Sequence, residues 1–160
     1  MADGASHILF GFIINKIFKI ERPYSTFILF GSILPDLLHK PVYFLSMKLN
    51  DYFMSSHSIF TLIFVCSFFS LFFLKQNYFK GFLFLYSGSI SHLFLDIFQF
   101  TYQGDIYPIL APFSYKKISI PIIHTQQWLY YFVPLILITI FIVIRFPKYK
   151  TQTENWIKKF

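Results

Sequence analysis

Two polar side chains, His92 and Asp96, lie four positions apart in the otherwise apolar stretch His-Leu-Phe-Leu-Asp. On a helix this spacing places both side chains on one face, with Cβ atoms about 5–6 Å apart. Both could then bind one cation, as in helical two-histidine zinc motifs. A carboxylate in hydrocarbon is costly and indicates a functional role. A polar pair that joins two helices by a hydrogen bond would explain these residues equally well.

Other imidazoles and carboxylates occur where helices could bring them to the same place. Asp36 follows Pro35 at the end of an apolar run, and His7 begins the first such run. His57 lies in a Ser-Ser-His-Ser segment, where a preceding serine can cap a helix. Mixed imidazole and carboxylate ligands suit zinc, manganese or iron, whereas calcium prefers oxygen ligands alone. The sequence therefore predicts a divalent metal site, with zinc as the first choice.

The composition is that of a membrane protein. Hydrophobic residues make up 56% of the 160 residues, charged residues make up 13%, and the mean hydropathy is +0.57. Soluble domains have charged residues at roughly a quarter of their positions. The net charge of +7 does not indicate nucleic-acid binding, because Lys and Arg lie in the gaps between apolar runs. We expect membrane lipids as partners and no nucleic acid.

The remaining composition excludes some classes of site. Cys66 is the only cysteine, so the chain has no internal disulfide and no thiolate metal site. Residues 1–7 lack a basic segment, so we expect no cleaved signal peptide. Several large aromatic residues suit a belt at the membrane interface: Tyr102, Tyr107, Trp128, Tyr130 and Tyr131.

The continuous apolar runs predict an all-α integral membrane bundle of about five helices. Runs 51–75, 80–96 and 125–144 approach the ~20 residues that a helix needs to cross ~30 Å of hydrocarbon. Runs 4–15 and 23–35 are shorter and could be tilted spans, half-helices or interfacial segments. We expect one membrane-embedded domain over residues 1–147 and a basic cytoplasmic tail over residues 148–160. Gly88 is expected to be a small-residue contact between helices.

The distribution of basic residues predicts the orientation. Segments 16–22, 75–80 and 145–160 hold ten of the 14 Lys and Arg residues, and the intervening segments hold four. The positive-inside rule then places the C-terminus in the cytoplasm of a multi-pass protein of the inner (cytoplasmic) membrane. All five histidines fall on the opposite side in this arrangement. Separate helices would therefore present their imidazoles at one membrane face.

These motifs, in this order, resemble those of the YdjM-like inner-membrane metal-dependent hydrolases. The resemblance covers about residues 5–113 and includes His7, the segment Gly-Ser-x-Leu-Pro-Asp ending at Asp36, Ser-His-Ser at 56–58 and Ser-His-Leu-x-Leu-Asp at 91–96. Gly104 and Pro108 follow. That family is grouped with the zinc-dependent phospholipases C and single-strand nucleases, whose all-α fold binds metal through a comparable series. The resemblance implies that one metal is held by Asp36, His57, His92 and Asp96. It also implies that His7 helps to hold a second metal, with Asp96 bridging.

Two segments depart from the family's pattern. Many relatives have a second acid in Pro-Asp-x-Asp-His, where this chain has Leu38. Many relatives also have His-Arg-Gly ahead of the Ser-His-Ser segment, where this chain reads Tyr-Phe-Met-Ser-Ser. These departures remove ligands that a full two- or three-metal cluster would use. His39 or His124 could replace a missing ligand, or each could be a hydrogen-bonded residue at the interface.

A metal in such a site predicts hydrolysis, because it lowers the pKa of bound water toward ~7 and polarises a phosphoryl or acyl oxygen. Asp96 or Asp105 could serve as the catalytic base, although Gly104-Asp105 also suits a turn. We predict a membrane-bound metal-dependent hydrolase of a phosphoester or ester in a lipid or lipid-linked substrate. Two alternatives stay open: a non-catalytic metal-binding scaffold, and a small transporter or proton relay that uses His92 and Asp96.

Overall fold

The computed structural model describes residues 4–45, 54–73, 77–100, 107–120, 122–124 and 129–145. Within these ranges the chain forms six α-helices: α1 (Gly4–Ile17), α2 (Tyr24–Gly31), α3 (Leu34–Leu45), α4 (Ile59–Phe73), α5 (Tyr78–Ile97) and α6 (Leu129–Arg145). A short 3-10 helix, Met54–His57, precedes α4. Strands β1 (Gln99–Phe100) and β2 (Ile123–His124) form one parallel pair. The helical class is confirmed, and the small strand pair is an addition to it.

Helix length is where the structure differs from the sequence prediction of three spans of about 20 residues. Helix α4 has 15 residues and α6 has 17. Helix α5 has 20 residues, but its second half contains two serines together with His92 and Asp96, which lower its hydropathy. In the described part of the chain, no helix combines the length and hydropathy needed to cross a membrane.

The boundary between α2 and α3 determines where the Asp36 carboxylate lies. Helix α2 ends at Gly31, and α3 begins only three residues later. Pro35 is tolerated in the first turn of α3 because the backbone N–H groups there have no partner within the helix. Asp36 is also in this first turn, where the helix dipole favours a negative charge. The turn therefore presents a carboxylate beside the end of α2.

Helices α2 and α5 cross at two glycines and pack backbone against backbone. A Cβ atom on Gly31 would lie 2.1 Å from the Leu85 carbonyl oxygen, and one on Gly88 would lie 2.3 Å from the Ile28 carbonyl oxygen. The Ser89 hydroxyl donates a hydrogen bond of 3.1 Å to the Gly31 carbonyl. The predicted helix contact at Gly88 is confirmed. This crossing fixes the end of α2 against the middle of α5.

Apolar side chains hold the other elements around this crossing. One cluster joins α3, α4 and α5, a second joins α4, α5 and the segment 107–120, and a third joins α1 and α6. Their buried members are Leu34, Cys66 and Leu85 in the first, Leu62, Leu93 and Ile109 in the second, and Ile13, Leu135 and Ile142 in the third.

The segment 107–120 runs back over the start of α4 and the end of α5. The Ile59 N–H donates to the Ile109 carbonyl at 3.0 Å, and the Ile120 N–H donates to the Ile97 carbonyl at 2.6 Å. These bonds attach the segment to both helices. The segment therefore lies at the same end of the bundle as the 3-10 helix and the last turns of α5.

Candidate functional site

Five polar side chains from four separate segments meet at this end of the bundle. His7 comes from α1, Asp36 from the start of α3, His57 from the 3-10 helix, and His92 and Asp96 from the last turns of α5. None of them is more than 6% exposed. Burying so many titratable groups is costly unless they gain partners. The cluster is therefore the strongest candidate for a functional site in the described residues.

Asp96 contacts three imidazoles. Its Oδ2 lies 3.1 Å from His92 Nε2 and 3.8 Å from His57 Nε2, and its Oδ1 lies 3.5 Å from His7 Nε2. Because His92 and Asp96 are four residues apart on α5, the helix alone determines their closeness. The contacts with His7 and His57 depend on packing between elements. Asp96 is thus the residue that links α1, the 3-10 helix and α5.

Asp36 approaches the same imidazoles from α3. Its Oδ1 lies 3.8 Å from His57 Nε2 and 3.9 Å from His92 Nε2. Its Oδ2 accepts a hydrogen bond of 2.5 Å from Lys40 Nζ, one turn later on α3. The two carboxylates therefore flank His57 and His92, and one oxygen of Asp36 is held by a lysine.

Several atoms at the centre of the cluster make no hydrogen bond within the described part of the chain. They include Nε2 of His57, Nε2 of His92 and Oδ2 of Asp96, all fully buried. Buried polar atoms are nearly always hydrogen-bonded, so a group of exceptions in one place calls for an explanation such as an ion. Donor atoms of His57, His92 and Asp96 all lie within 4.8 Å of one another. Donor atoms of His7, Asp36 and His92 form a second such group.

This donor set has the composition of a site for a divalent transition metal. Imidazole nitrogens and carboxylate oxygens both bind zinc at about 2.0–2.2 Å. Atoms that share such an ion lie about 3–4 Å apart in tetrahedral geometry, and the His–Asp distances in the cluster are of that size. The arrangement could hold one cation between the two carboxylates, and His7 offers a donor for a second.

A backbone carbonyl orients His92. His92 Nδ1 donates a hydrogen bond of 2.8 Å to the carbonyl oxygen of Ser32, which directly follows α2. Because a carbonyl only accepts, the ring must carry a proton on Nδ1. Neutral His92 then has a lone pair on Nε2, the atom that faces Asp96. The crossing at Gly31 and Gly88 makes this bond possible, because it brings the end of α2 against α5.

Tyr107 and Ser56 hold His57. The Tyr107 ring stacks on the His57 ring, with centroids 3.8 Å apart and planes 3° from parallel. Ser56 Oγ lies 3.1 Å from His57 Nδ1, so Nε2 is again the nitrogen that faces the carboxylates. Burial and the carboxylates of Asp96 and Asp36 raise the pKa of the Tyr107 phenol well above its usual value. Tyr107 therefore keeps its proton at physiological pH.

Tyr107 corrects one interpretation of the sequence, which assigned it to an aromatic belt at the membrane interface. It is 4% exposed and packs inside the cluster. Gln99 was also missed: it is buried, and its Nε2 lies 3.5 Å from Asp96 Oδ1. Lys40, the partner of Asp36, is the third omission. Only the spacing of Lys40, four residues after Asp36, was a signal in the sequence.

The remaining candidates lie at the edge of the cluster or outside the described residues. His39 is buried, and its ring packs edge-on against His57 and Tyr107, with centroids 5.4 and 6.2 Å away. His124 is buried in β2, where it pairs with Phe100. Neither belongs to the two groups of mutually close donor atoms found among the described residues. Asp105 lies outside the described residues.

Comparison with known proteins identifies a family. A family model described as YdjM inner membrane protein matches residues 1–158, which is almost the whole chain. The match confirms the YdjM family inferred from the motifs, while the hydrolase activity and the relationship to the phospholipases C stay predictions. No curated protein and no solved structure matches the chain.

Proposed function

Because the chain belongs to the YdjM inner membrane protein family, we propose that it is a membrane-bound metal-dependent hydrolase. One observation carries this proposal. Donor atoms of His57, His92 and Asp96 converge within 4.8 Å, and the central nitrogens and oxygen are buried without hydrogen bonds among the described residues. Such a set of donors suits zinc first, and manganese or iron next.

The residues that would hold the cation are Asp36, His57, His92 and Asp96. Ser32 and Tyr107 orient two of the imidazoles, as residues behind metal ligands generally do. A divalent cation bound there would supply Lewis acidity, which acidifies a water molecule and polarises the ester of a substrate. His7 could complete a second site with Asp36 and His92.

In a one-cation site, His7 is the candidate for general base. Its Nε2 faces Asp96 Oδ1 at 3.5 Å, and its Nδ1 is buried without a hydrogen-bond partner among the described residues. Asp96 would fix a proton on Nε2, so that Nδ1 could accept the proton of the attacking water. Asp96 would also stabilise the imidazolium that forms. This assignment gives Asp96 a supporting part in the proton transfer, whereas the sequence analysis proposed Asp96 or Asp105 as the base itself.

The exposed surface supports a location in the membrane. Phe68 and Phe72 of α4 and Phe141 and Ile144 of α6 are each more than half exposed. Large exposed apolar faces indicate contact with another apolar phase. We propose a multi-pass arrangement with a cytoplasmic C-terminus, and a lipid or lipid-linked ester that reaches the cluster from the membrane. The similarity of the motif series to that of the zinc-dependent phospholipases C supports the same class of reaction.

One observation favours a non-catalytic metal-binding scaffold as the second candidate. Many relatives have a second acid at the position of Leu38, whereas this side chain packs into the apolar cluster of Leu34, Cys66 and Leu85. Helix α3 therefore contributes one carboxylate, Asp36, to the cluster. A site with fewer acids could still bind a cation but be less able to turn over a substrate.

Metal analysis and hydrolysis of a generic ester together test the proposal. We expect the chain, purified in detergent, to contain about one zinc ion and to cleave bis(p-nitrophenyl) phosphate. Chelation should abolish the activity, and added zinc should restore it. Bound metal without turnover of any phosphodiester or ester would favour the scaffold. A chain that binds no divalent metal would contradict both and favour a proton relay.

Substitutions of Tyr107 test whether its ring positions His57. We expect Tyr107→Leu to weaken zinc binding by roughly 10–100-fold, the usual loss when a residue behind a metal ligand is removed. Tyr107→Phe keeps the stacked ring and should bind zinc about as well as the wild type. Competition with a chromogenic zinc chelator measures both affinities. Equal affinities for the two variants would contradict a positioning role for the ring.

A further inference from the structure

An apolar cavity opens beside the cluster, between the first turns of α1 and one face of α3. Its volume is about 390 Å³, which lies within the range of about 300–1,000 Å³ typical of small-molecule sites. Its walls are mostly apolar, and they come from Gly4, Ile8, Ile33, Leu37 and Pro41. Asp36 and Lys40 are the charged residues that line it. Since Asp36 also belongs to the cluster, it is the residue that the cavity and the cluster have in common.

Lys40 places a positive charge where the cavity meets the cluster. Its Nζ lies 2.5 Å from Asp36 Oδ2, while Asp36 Oδ1 faces His57 and His92. About a third of the Lys40 side chain is exposed, and Lys40 lines the cavity. A ligand in the cavity would therefore meet the Lys40 ammonium group beside Asp36, and the other oxygen of Asp36 faces the candidate metal ligands.

The net charge of the site determines which ligand charge it binds best. The carboxylates of Asp36 and Asp96 would balance one divalent cation, and the histidines are neutral ligands. Lys40 then supplies the excess positive charge of the site. A phosphodiester, with one negative charge, matches that excess. A carboxylic ester has no charge with which to bind Lys40, and a phosphomonoester at neutral pH has close to two.

We propose that Lys40 and the adjoining cavity bind the anionic phosphate and the aliphatic chain, respectively, of an amphiphilic phosphodiester. This inference rests on the proposed hydrolase function and specifies its substrate class. Lys40 binds the phosphate through a charge-assisted hydrogen bond, and such bonds are the stronger ones in proteins. The Ile8 and Leu37 side chains contact the aliphatic chain of the ligand. The scissile phosphorus then lies on the cluster side of Asp36.

Substitutions of Lys40 test the charge selection in the zinc-loaded chain in detergent. Two chromogenic probes share a leaving group and a chain length: decyl p-nitrophenyl phosphate, which is anionic, and p-nitrophenyl decanoate, which is neutral. We expect Lys40→Met to lower kcat/KM for the anionic probe by about 10–100-fold, the range for loss of a hydrogen bond to a charged group. With zinc in excess, turnover of the neutral probe should fall much less than turnover of the anionic probe, and Lys40→Arg should recover most of the loss.

Lys80→Met is the matched control for Lys40→Met. Lys80 is exposed on α5, twelve residues before His92, which places it about 18 Å along the helix from the cluster. The control should leave both probes unaffected. A Lys40→Met variant that slows both probes equally, or neither, would overturn the assignment of Lys40.

A substitution in the cavity tests whether the aliphatic chain of the ligand binds there. Leu37 is half exposed, so Leu37→Trp can fill the cavity without overpacking a buried core. We expect this variant to lower kcat/KM for decyl p-nitrophenyl phosphate by about tenfold or more, as for the loss of a few buried methylenes. Methyl p-nitrophenyl phosphate, which has no chain, should be cleaved as before. Equal effects on both probes would overturn the cavity assignment.

A binding measurement separates failure of this inference from failure of the proposed function. Equilibrium dialysis of decyl p-nitrophenyl phosphate against the zinc-loaded chain requires no turnover. Binding that weakens in Lys40→Met, without hydrolysis of any probe, would support the Lys40 site and overturn the hydrolase function. Hydrolysis at a rate that depends neither on Lys40 nor on the length of the aliphatic chain would support the hydrolase function and overturn the Lys40 site. Absence of hydrolysis and of Lys40-dependent binding would overturn both.

Discussion

Asp96→Asn is expected to reduce zinc affinity by at least about 100-fold and to abolish hydrolysis. Asp96 contacts His7, His57 and His92, so no other residue of the cluster is shared by as many imidazoles. Loss of a residue that only supports a metal ligand already costs about 10–100-fold in affinity. Loss of a ligand itself should cost more. Chelator competition gives the affinity, and the bis(p-nitrophenyl) phosphate assay gives the activity.

The stability of the same variant without metal separates a functional cluster from a structural one. Asp96 Oδ2 is buried without a hydrogen bond among the described residues, and its nearest polar neighbours are imidazoles, so a neutral side chain of the same shape would remove the cost of burying a charge. Asn has nearly the same shape and no charge, and the neighbouring imidazoles can remain neutral. We therefore expect the metal-free variant to unfold within about 1 kcal/mol of the wild type, or to be more stable.

Glu21→Gln provides the matched acid-to-amide control, because Glu21 is an exposed carboxylate away from the cluster. It should change neither zinc affinity nor stability. The opposite result for Asp96→Asn, several kcal/mol of destabilisation with zinc affinity intact, would mean that Asp96 joins helices and does not bind a cation. Thermal unfolding followed by circular dichroism in detergent distinguishes these outcomes.

Gly88→Ala is expected to destabilise the fold by about 3 kcal/mol or more and to weaken zinc binding in parallel. The added Cβ would lie 2.3 Å from the Ile28 carbonyl oxygen. Overpacking typically costs about 1–3 kcal/mol, and here the obstructing atom is backbone, which cannot move aside as a side chain can. Separating α2 from α5 would also break the hydrogen bond from His92 to the Ser32 carbonyl.

Gly4→Ala is the control for a glycine-to-alanine change in a helix. A Cβ atom on Gly4 would have no neighbour within 4 Å, so this variant should be as stable as the wild type or slightly more stable. Thermal unfolding and chelator competition compare the two variants. If Gly88→Ala unfolds at the wild-type temperature and binds zinc normally, the close crossing does not determine the geometry of the cluster.

Local spacing determined part of the candidate site. His92 and Asp96 are neighbours because a helix places residues four apart on one face, and nothing else in the fold is needed for that. Their neighbours Asp36 and His57 could be selected from the sequence because few polar residues interrupt the apolar runs. Composition alone likewise indicated a helical membrane protein, and the match to an inner membrane protein family agrees with that class.

Tertiary structure alone decided which of the five histidines meet. His7, His57 and His92 contact the two carboxylates, whereas His39 packs behind His57 and Tyr107, and His124 pairs in a strand. These histidines belong to different elements, so their distances depend on helix crossings such as the one at Gly88 and on how the segment after α5 folds back. No periodicity along the chain encodes those contacts.

The same reason explains why Tyr107 and Gln99 were missed. Tyr107 lies in an irregular segment, and Gln99 lies in a two-residue strand, so neither has a helical face that predicts its neighbours. An aromatic residue near a membrane surface and one buried against an imidazole look identical in sequence. The chain itself determined residue types and short-range spacing. Packing between distant segments decided which side chains are buried and how they are oriented, because both depend on contacts that form only in the folded bundle.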